Sequence, residues 1–529
     1  MNNKKIQVWL PLLFSLTMIA GMYMGYKMRD NMPGKSFFHI EKRRPVQEIM
    51  DLIQSKYVDE VNIDQLTDTA IQAMLQKLDP HSVFIPSEKL QEVNEDLAGK
   101  FYGIGVEFNI FDDTLNVTNV LKDGPGFKAG LVIGDKFLKV DDSLVTGKKM
   151  TADKFRKLLR GERGTKVVIA LLHNNQQTNI TITRDEIPVT SVDASYMIGG
   201  GIGFMRLNKF SSQTYREFMQ ALEKLNSQGL KKLILDLRGN GGGVLDEAVE
   251  IADEFLDADK LITYTEGKHM PKKEYRCRRA GLFEKGTLVV LADEGTASAS
   301  EVLIGALQDW DRATIVGRRT FGKGLVQEQF DLSDNSALRL TIARYYTPIG
   351  RSIQRPYTNG DKAYYEEIAN RYHDGETQTA DSIKNDKSKI FKTQGGKTVY
   401  GGGGITPDYF IALDTVGNNG NASDLYEKRT VATYAYHYYL QNLATLKSYK
   451  DPKDFIDHFT FSPTEWANFL VAAAKDSIPL NTIKENEKTG IINQIRSAIA
   501  RHLWMAEGYF EIMNSNDEAV KKAISLLNN

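Results

Sequence analysis

Apolar and polar positions change their spacing several times along the chain, and each change marks a different kind of predicted structure. Over residues 36–88 apolar side chains recur at helical spacing, in stripes such as Val46, Ile49, Met50, Ile53 and Tyr57. Residues 89–185 show short alternating runs between glycine turns, with one helical segment near 152–159. The first pattern predicts an N-terminal helical region, and the second predicts a small β-rich domain.

From about residue 186 strand-like and helix-like stretches alternate. They follow one another in the order 202–207, 215–225, 232–237, 248–255, 288–292 and 302–310. The strand-like runs are almost wholly apolar, which is typical of strands that are covered on both faces. Alternation of this kind predicts a layered α/β core over residues 186–412.

The remaining chain divides into a polar stretch and a helical end. Residues 357–397 are polar and charged, which predicts an insertion or flexible loop within the core. Residues 413–529 show helical patterns again, and we expect a C-terminal helical accessory region. Within it Ser462, Pro463 and Glu465 fit a capping box with proline in the first helical position.

The N-terminal 35 residues differ from the rest by an uncharged run over residues 6–26, preceded by Lys4 and Lys5. A helix of that length spans about 31 Å, enough to cross a hydrocarbon core. The run is longer than the apolar stretch of a usual signal peptide, and no A-x-A site follows it. We therefore favour an uncleaved signal anchor, although the flanking charges do not decide its orientation.

Composition narrows the class of protein. The 529 residues carry a formal net charge of −1, which argues against nucleic acid as a partner. Cys277 is the single cysteine, so neither an intrachain disulfide nor a cysteine metal cluster can form. The eight histidines include no H-E-x-x-H motif. We expect neither a metal nor a cofactor.

A serine with two alternative roles follows the predicted buried strand 288–292. The segment 295–301 reads GTASASE, and Ser298 stands where the strand gives way to a helix. A serine at such a turn is exposed to substrate, and helix N-terminal amides stabilise a developing negative charge. The other interpretation is an ordinary helix N-cap, which the residues alone favour.

Lys323 also allows two interpretations, because it lies between Gly322 and Gly324. It is either a solvated turn residue or a partly buried amine whose pKa is lowered enough to make it a base. Gln327 comes four residues later. Side chains at that spacing meet on a helix but are about 13 Å apart on a strand. A contact between Lys323 and Gln327 therefore predicts a helical turn here.

Two glycine-rich turns have alternative explanations as well. The turn at residues 239–243 follows a buried strand but lacks the third glycine of a dinucleotide-binding loop, so we do not expect a nucleotide. The tetrad Gly103, Ile104, Gly105 and Val106 is either a hairpin turn or the loop with which PDZ-like domains bind a terminal carboxylate. The alternating strands around it favour the PDZ interpretation.

Taken together, the motifs resemble the carboxyl-terminal processing peptidases, also called tail-specific proteases, over residues 40–412. No single motif is specific, but their combination in this order is. The motifs are LDPHS (78–82), YGIGV (102–106), DLRGNGGG (236–243), ASASE (297–301), FGKGLVQ (321–327), YTPIGRSIQ (346–354) and GITPD (404–408). The resemblance implies a multidomain α/β protein with a PDZ-like domain and a crotonase-like catalytic core.

Carried over to this sequence, the resemblance implies that Ser298 is the nucleophile, Lys323 the general base and Gln327 the residue that positions Lys323. Ser300 fits the family spacing to the lysine less well and is interpreted as a helix-start residue. The oxyanion hole is expected from the amide of Ala299 together with that of Gly241 or Gly242, which the sequence does not distinguish.

The implied activity is that of a serine endopeptidase that binds protein C-termini through its PDZ domain and cleaves through an acyl-enzyme. The implied setting is the bacterial inner membrane, with a single anchor at residues 6–26 and the catalytic body in the periplasm. The resemblance also leaves room for an adaptor or regulatory protein and for a homo-oligomer. Two rivals are a catalytically silent peptide-binding protein and a Ser-His-Asp protease, for which His81 is the candidate base.

Overall fold

The computed structural model describes seven stretches of the chain: residues 3–31, 45–111, 113–147, 150–174, 176–414, 420–480 and 483–528. The chain divides into two compact units, residues 1–71 and 72–529. The first unit begins with three helices: α1 (Asn3–Asn31), α2 (Pro45–Lys56) and α3 (Ile63–Leu75), the last of which extends into the second unit. Residues 32–44 of the predicted N-terminal regions lie outside the described part.

Helix α1 contains the apolar run predicted to cross a membrane. Its segment Trp9–Lys27 is long and apolar enough to do so, and none of it is buried. By length and composition alone, α1 fits a membrane anchor or a signal sequence.

A short mixed segment follows in the second unit, although the sequence predicted only helix up to residue 88. It contains β1 (Val83–Ile85), α4 (Ser87–Ala98) and β2 (Lys100–Gly103). Helix α3 ends at Leu75. Asp79 then accepts hydrogen bonds from the N–H groups of His81 and Ser82, which form the turn at residues 79–82.

The predicted β-rich domain is a sheet with two short helices. Its elements are β3 (Val106–Phe111), β4 (Thr114–Val120), α5 (Pro125–Lys128), β5 (Lys136–Val140), β6 (Ser143–Leu144), α6 (Ala152–Leu159), β7 (Lys166–His173), β8 (Gln176–Thr183) and β9 (Asp185–Pro188). The sheet order is β3-β4-β5-β7-β8, while β9 pairs with β2. Strand β3 is therefore an edge strand.

The α/β core begins with strands and helices that include all six of the predicted ones. Its first elements are β10 (Val192–Gly199), β11 (Ile202–Leu207), α7 (Thr214–Ser227), β12 (Lys232–Asp236), α8 (Leu245–Asp253), β13 (Leu261–Glu266), β14 (Lys273–Arg276), β15 (Thr287–Ala292), α9 (Ala299–Asp309) and β16 (Thr314–Gly317). The apolar runs become strands because both faces of this sheet are covered.

The rest of the core folds against these elements. It consists of β17 (Leu325–Asp331), β18 (Ala337–Tyr346), α10 (Asp361–His373), β19 (Ile390–Lys392), β20 (Thr398–Tyr400) and β21 (Tyr409–Phe410). The polar stretch 357–397 is thus folded and is not a flexible loop. Helix α10 is held because the Arg371 guanidinium donates to Thr320 O at 2.8 Å and to Phe321 O at 3.3 Å.

In the described part of the core, two large sheets are accompanied by the two-stranded pair β19-β20. The first has the order β10-β11-β12-β15-β16-β21 and is parallel except for β10. The second has the order β1-β18-β13-β14, and β17 also pairs with β18. The carboxyl ends of β12 and β15 lie side by side in the first sheet, so the loops that follow them meet at one edge.

The C-terminal region is helical, as predicted: α11 (Gly420–Glu427), α12 (Thr430–Gln441), α13 (Leu443–Leu446), α14 (Pro452–His458), α15 (Pro463–Lys475), α16 (Glu485–Asn514) and α17 (Glu518–Asn528). The capping box at Ser462 is confirmed: its hydroxyl accepts from Glu465 N–H at 3.2 Å. Helix α17 packs Val520 and Leu527 against the first core sheet. Arg501 on α16 pairs with Glu107 on β3 at 3.0 Å.

Candidate active site

Ser298 is placed at the turn between β15 and α9. Its backbone lies in the left-handed region, with φ 57° and ψ −117°, which a residue other than glycine rarely adopts. The Ser298 N–H donates to the Glu301 carboxylate at 2.9 Å, as in a capping box. In the part of the chain that the structure describes, the Ser298 hydroxyl makes no cap hydrogen bond, because the Glu301 N–H donates to the Ser298 carbonyl at 2.8 Å instead. The hydroxyl of this half-buried serine is therefore not used as a helix cap.

Ser300, two residues further along, faces the interior. Its side chain is fully buried, and its hydroxyl donates to Asn240 O at 3.0 Å. Ala297 N–H donates to the same carbonyl at 2.9 Å. Ser300 thus ties the start of α9 to the glycine turn that follows β12, and a substrate cannot reach it.

The glycine turn lies against Ser298. A Cβ atom on Gly242 would come within 2.8 Å of both Ser298 Cβ and Ala299 N, and Gly242 has φ +93°. The turn can approach the serine this closely only because residue 242 has no side chain. The N–H of Gly242 donates to Asn240 Oδ1 at 2.9 Å. In the described part of the chain, the N–H groups of Gly241 and Ala299 have no acceptor.

Lys323 and Gln327 are in contact: Lys323 Nζ donates to Gln327 Oε1 at 2.9 Å. The expected helical turn is wrong, because Gln327 lies in β17 and Lys323 in the irregular segment before it. Four extended residues separate two backbone positions by about 13 Å, but the long side chains of Lys323 and Gln327 bridge most of that separation. The β17–β18 register also shifts between Val326 and Gln327, and such an irregularity re-aims a side chain.

The surroundings of Lys323 favour the neutral amine. Burial lowers the pKa of Lys323, and the positive charge of Arg339 lowers it further. The carboxylates of Asp79 and Glu301 act in the opposite direction but do not reverse the shift. A lysine with a lowered pKa can accept a proton at a lower pH than a solvated one.

The fully buried Glu301 links the serine and lysine segments. Besides Ser298 N–H, its carboxylate accepts from Thr320 Oγ1 at 2.5 Å, Gly322 N at 2.7 Å and Lys323 N at 2.8 Å. Burial raises the pKa of Glu301, while these donors favour its charged form. One side chain therefore fixes the backbone at both Ser298 and Lys323.

Tyr345 on β18 makes a second link between the same two residues. Its buried hydroxyl lies 3.1 Å from Ser298 O and also contacts Lys323 O. Because one hydroxyl has a single proton, it can donate to only one of these carbonyls at a time. Glu301 and Tyr345 approach the serine and lysine from different elements, so the relative position of the two segments is determined twice.

The turn at residues 79–82 completes the site, although the sequence had pointed there only to His81, as the candidate base of the rival Ser-His-Asp protease. Gln327 Nε2 donates to His81 O, which orients the amide so that Oε1 faces Lys323. The turn is held because Asp79 Oδ2 accepts from the Ser82 hydroxyl at 2.6 Å, and Ser82 Oγ accepts from Thr341 N at 3.1 Å. The LDPHS motif (78–82) was the available signal.

The His81 ring is turned towards Tyr364 rather than Ser298. Its Nε2 lies 2.9 Å from the Tyr364 hydroxyl, and the imidazole contacts the rings of Phe321 and Tyr364. Burial, with a contribution from the Lys323 charge, lowers the pKa of His81 to about 4. No hydrogen bond joins the imidazole to Ser298 among the described residues. The geometry therefore does not support a Ser-His-Asp triad.

Cys277 is a buried free thiol in the core. Burial, together with the nearby Asp253 carboxylate, raises the pKa of Cys277 to about 12. A thiol with such a pKa is a poor nucleophile at neutral pH. Within the described ranges, no group of three or more His, Cys, Asp or Glu side chains is arranged to hold a metal ion.

The tetrad 103–106 joins β2 to the edge strand β3. Ile104 O accepts from Gly126 N at 2.7 Å and Gly105 O from Leu121 N at 2.9 Å, so the carbonyls are held inward. The N–H groups of Ile104 and Gly105 have no acceptor in the part of the chain that the structure describes. A cavity of about 340 Å³ opens beside them, between β3 and α6, and its apolar lining includes Phe101, Val106, Phe108 and Leu159.

Comparison with known proteins identifies the families that the domains of this chain match. Residues 201–362 match Peptidase family S41, residues 103–183 match the PDZ domain, and residues 19–89 match the activating protease CtpB N-terminal domain. Residues 422–505 match a family of unknown function.

Individual relatives extend the similarity over most of the chain. A probable CtpA-like serine protease of Staphylococcus epidermidis is 35% identical over 357 residues, which is 65% of this chain and 72% of the relative. A carboxy-terminal-processing protease of Bartonella bacilliformis is 35% identical over 313 residues, 58% of this chain and 71% of the relative. A solved photosystem II D1 C-terminal processing protease has 27% identity and a TM-score of 0.35, covering 70% of this chain and 87% of its own.

A PDZ domain joined to a core of this family defines a serine-type peptidase. The chain belongs to peptidase family S41, among the carboxy-terminal-processing proteases.

Proposed function

We propose that this chain is an endopeptidase whose nucleophile is Ser298 and whose general base is Lys323. The contact that carries the proposal is the hydrogen bond from Lys323 Nζ to Gln327 Oε1 at 2.9 Å. It holds the amine in a partly buried position where its pKa is lowered, and Glu301 ties the same segment to Ser298. Gln327 positions Lys323 and takes no part in bond making.

In the proposed reaction the neutral Lys323 amine takes the proton of the Ser298 hydroxyl as Oγ attacks the scissile carbonyl carbon. The carbonyl oxygen becomes an oxyanion. The Lys323 ammonium then gives its proton to the leaving nitrogen as the C–N bond breaks, which leaves an ester on Ser298. Water attacks this acyl-enzyme with Lys323 again as base, and the carboxyl product leaves while Ser298 regains its proton.

Two backbone amides are proposed to stabilise the oxyanion. One is Ala299 N–H, which stands at the N-terminus of α9 and has no acceptor among the described residues. The other is Gly242 N–H, because Gly242 packs directly on Ser298 whereas a Cβ on Gly241 would meet nothing within 4 Å. The Gly242 N–H now donates to Asn240 Oδ1, and in the reaction it would donate to the oxyanion instead.

Substrate capture is assigned to the PDZ domain. The unpaired N–H groups of Ile104 and Gly105 would bind the terminal carboxylate, and the peptide would add to the free edge of β3. The apolar cavity beneath would hold the last side chain, so the substrates are proteins with accessible, apolar C-termini.

The setting proposed is the bacterial inner membrane, with the catalytic body in the periplasm and envelope proteins as substrates for processing or quality control. It is supported by the apolar helix α1, with residues 6–26 as the anchor, and by the family resemblance. An adaptor and a homo-oligomer belong to the same proposal. Full-length Ser298→Ala protein should bind its substrates without cleaving them and should keep its partner proteins. The proteins that co-purify with it therefore identify the substrates and the partners.

The dyad is tested with a fluorogenic peptide that has a free apolar C-terminus. Ser298→Ala and Lys323→Ala should each reduce kcat by at least about 10³-fold, since members of a catalytic unit fail together. Peptide binding should persist in both variants, and Ser388→Ala, at an exposed position, is the matched control. A Ser298→Ala protein that cleaves at the wild-type rate would exclude the assignment.

A further inference from the structure

Arg429 of the C-terminal helical region reaches the peptide groove of the PDZ domain. It lies between α11 and α12 with φ 57°, and its exposed side chain lines the cavity beside β3. Its Nη1 donates to Asn109 Oδ1 at 3.4 Å. Part of the groove wall is therefore supplied by a region outside the PDZ domain.

Arg429 differs from the other charged residues of the groove because no carboxylate of the described residues pairs with it. Arg156 pairs with Asp153 at 3.0 Å, and Arg160 pairs with Glu95 at 3.1 Å. Glu107 pairs with Arg501, as described above. Over the described ranges, Arg429 makes no ion pair, so one part of the groove carries an uncompensated positive charge.

The strand geometry indicates which residue of a bound peptide Arg429 faces. A carboxylate held at Gly105 places the peptide antiparallel along β3, and Asn109 lies four residues further, about 13 Å away. The side chains of Val106 and Phe108 pack against the domain core, so Glu107 and Asn109 point outward. The side chain of the C-terminal peptide residue lies in the cavity. Because side chains alternate along a strand, those of the first and third residues before the C-terminal residue face outward. The third of these residues lies beside Asn109.

We propose that Arg429, with Asn109, forms a subsite for an acidic side chain three residues before the C-terminal residue of the substrate. The inference rests on the proposed capture of C-termini by the PDZ domain. The C-terminal helical region would then take part in substrate selection. The positive charge that selects between substrate C-termini is that of Arg429, which lies between α11 and α12.

The test uses full-length Ser298→Ala protein, which does not cleave, and fluorescent ten-residue peptides that end in an apolar residue. Three peptides carry Glu, Gln or Lys three residues before the end, and the Kd of each is measured by anisotropy. Glu should bind about two- to fivefold more tightly than Gln, as expected for an exposed ion pair, and Lys more weakly. The preference should shrink at 0.5 M salt.

Variants in the same background assign the preference to Arg429. Arg429→Gln should equalise the Glu and Gln peptides, and Arg429→Glu should reverse the order in favour of Lys. Lys428→Gln is the matched control, because its ammonium instead donates to Asp476 O at 2.6 Å. Equal binding of the Glu and Gln peptides to the Arg429 protein would overturn the subsite, as would a preference that survives Arg429→Gln.

C-terminally amidated peptides separate this inference from the proposal on which it rests. If amidation abolishes binding while the Glu preference is missing, only the Arg429 subsite fails. If amidated and free peptides bind equally well, the capture of C-termini by the PDZ domain fails, and the subsite fails with it.

Discussion

Lys323 Nζ donates a hydrogen bond to Gln327 Oε1 at 2.9 Å, although Gln327 belongs to a strand and Lys323 precedes it. The glutamine amide is oriented by its other contact, because Nε2 donates to His81 O. An amide nitrogen can only donate, so the oxygen is the atom left to receive the lysine. The position of the proposed base thus depends on a turn some 240 residues away in sequence, at residues 79–82.

Gln327→Glu tests whether Gln327 positions a neutral amine. A carboxylate beside Lys323 favours the ammonium form and should raise the pKa of Lys323. We expect kcat/KM at pH 7 to fall at least about tenfold, since each pKa unit changes the free amine tenfold, and to recover as the pH rises. Gln176→Glu adds the same charge at an exposed site on β8 and serves as control. A pH profile that does not move contradicts the role of Gln327.

Arg339→Gln tests whether a nearby positive charge lowers the pKa of the proposed base, Lys323. The charge of Arg339 lowers the pKa of Lys323, so its removal should raise that pKa. The rising limb of kcat/KM against pH should move to higher pH, with kcat on the high-pH plateau unchanged. Arg344→Gln, on the same strand, is the control, because Arg344 bonds to the Tyr357 hydroxyl instead. Parallel shifts in both variants would point to a general charge effect.

Glu301→Gln should damage both stability and activity. The four donors around Glu301 need an acceptor, and one face of a glutamine amide would meet them with N–H groups. We expect a loss of about 2–4 kcal/mol in the free energy of unfolding, measured by urea denaturation, and a fall in kcat. Glu328→Gln, at an exposed position on β17, should change neither. A fully stable, active Glu301→Gln enzyme is the result that contradicts this account.

The oxyanion donor in the glycine turn can be identified by removing one N–H. Gly241→Pro deletes the amide hydrogen of residue 241, and Gly241→Ala keeps it. The backbone there is not left-handed, and a Cβ would meet nothing within 4 Å. If Gly242 is the donor, both variants should keep kcat within a few-fold of wild type. Loss of about 10²–10³ in kcat in the proline variant alone would make Gly241 the donor instead.

His81 should affect the pH dependence of stability more than catalysis. Its pKa falls from 6.5 in the unfolded chain to about 4 in the folded protein, so the unfolded state binds more protons between those values. Stability should therefore decrease as the pH is lowered from 6.5 to 4, by up to about 1.4 kcal/mol per pH unit. His81→Asn should reduce this slope and leave substantial activity at pH 7. His373→Asn, at an exposed site, should change neither the slope nor the activity. Abolished activity in a folded His81→Asn protein would restore the histidine alternative.

The local pattern of apolar and polar residues was sufficient to predict much of the secondary structure. The apolar run 202–207 is β11, and the helical segment 152–159 is α6, because each buries a face that its own periodicity displays. The Ser462 cap is as predicted because both capping partners lie within one turn. Ser298, Lys323 and the PDZ tetrad were named from motifs in the sequence, and their roles stay predictions until the variants are measured.

Other features depended on contacts between distant segments. Gln327 meets Lys323 without a helix because side-chain reach and an irregular register decide the contact, and neither follows from a spacing of four. The polar stretch 357–397 folds because Arg371 finds carbonyl acceptors on the segment before Lys323. The hydrogen bonds of Glu301, Tyr345 and the 79–82 turn likewise join elements far apart in the chain.

The amino-acid sequence thus predicted the candidate reacting groups and determined most of the secondary structure, because both are encoded in short segments. The tertiary structure decided how Ser298 and Lys323 are held, and it brought Arg429 of the C-terminal helices to the PDZ groove. The physical reason is that buried charge and directional hydrogen bonds are satisfied only by partners that folding brings together.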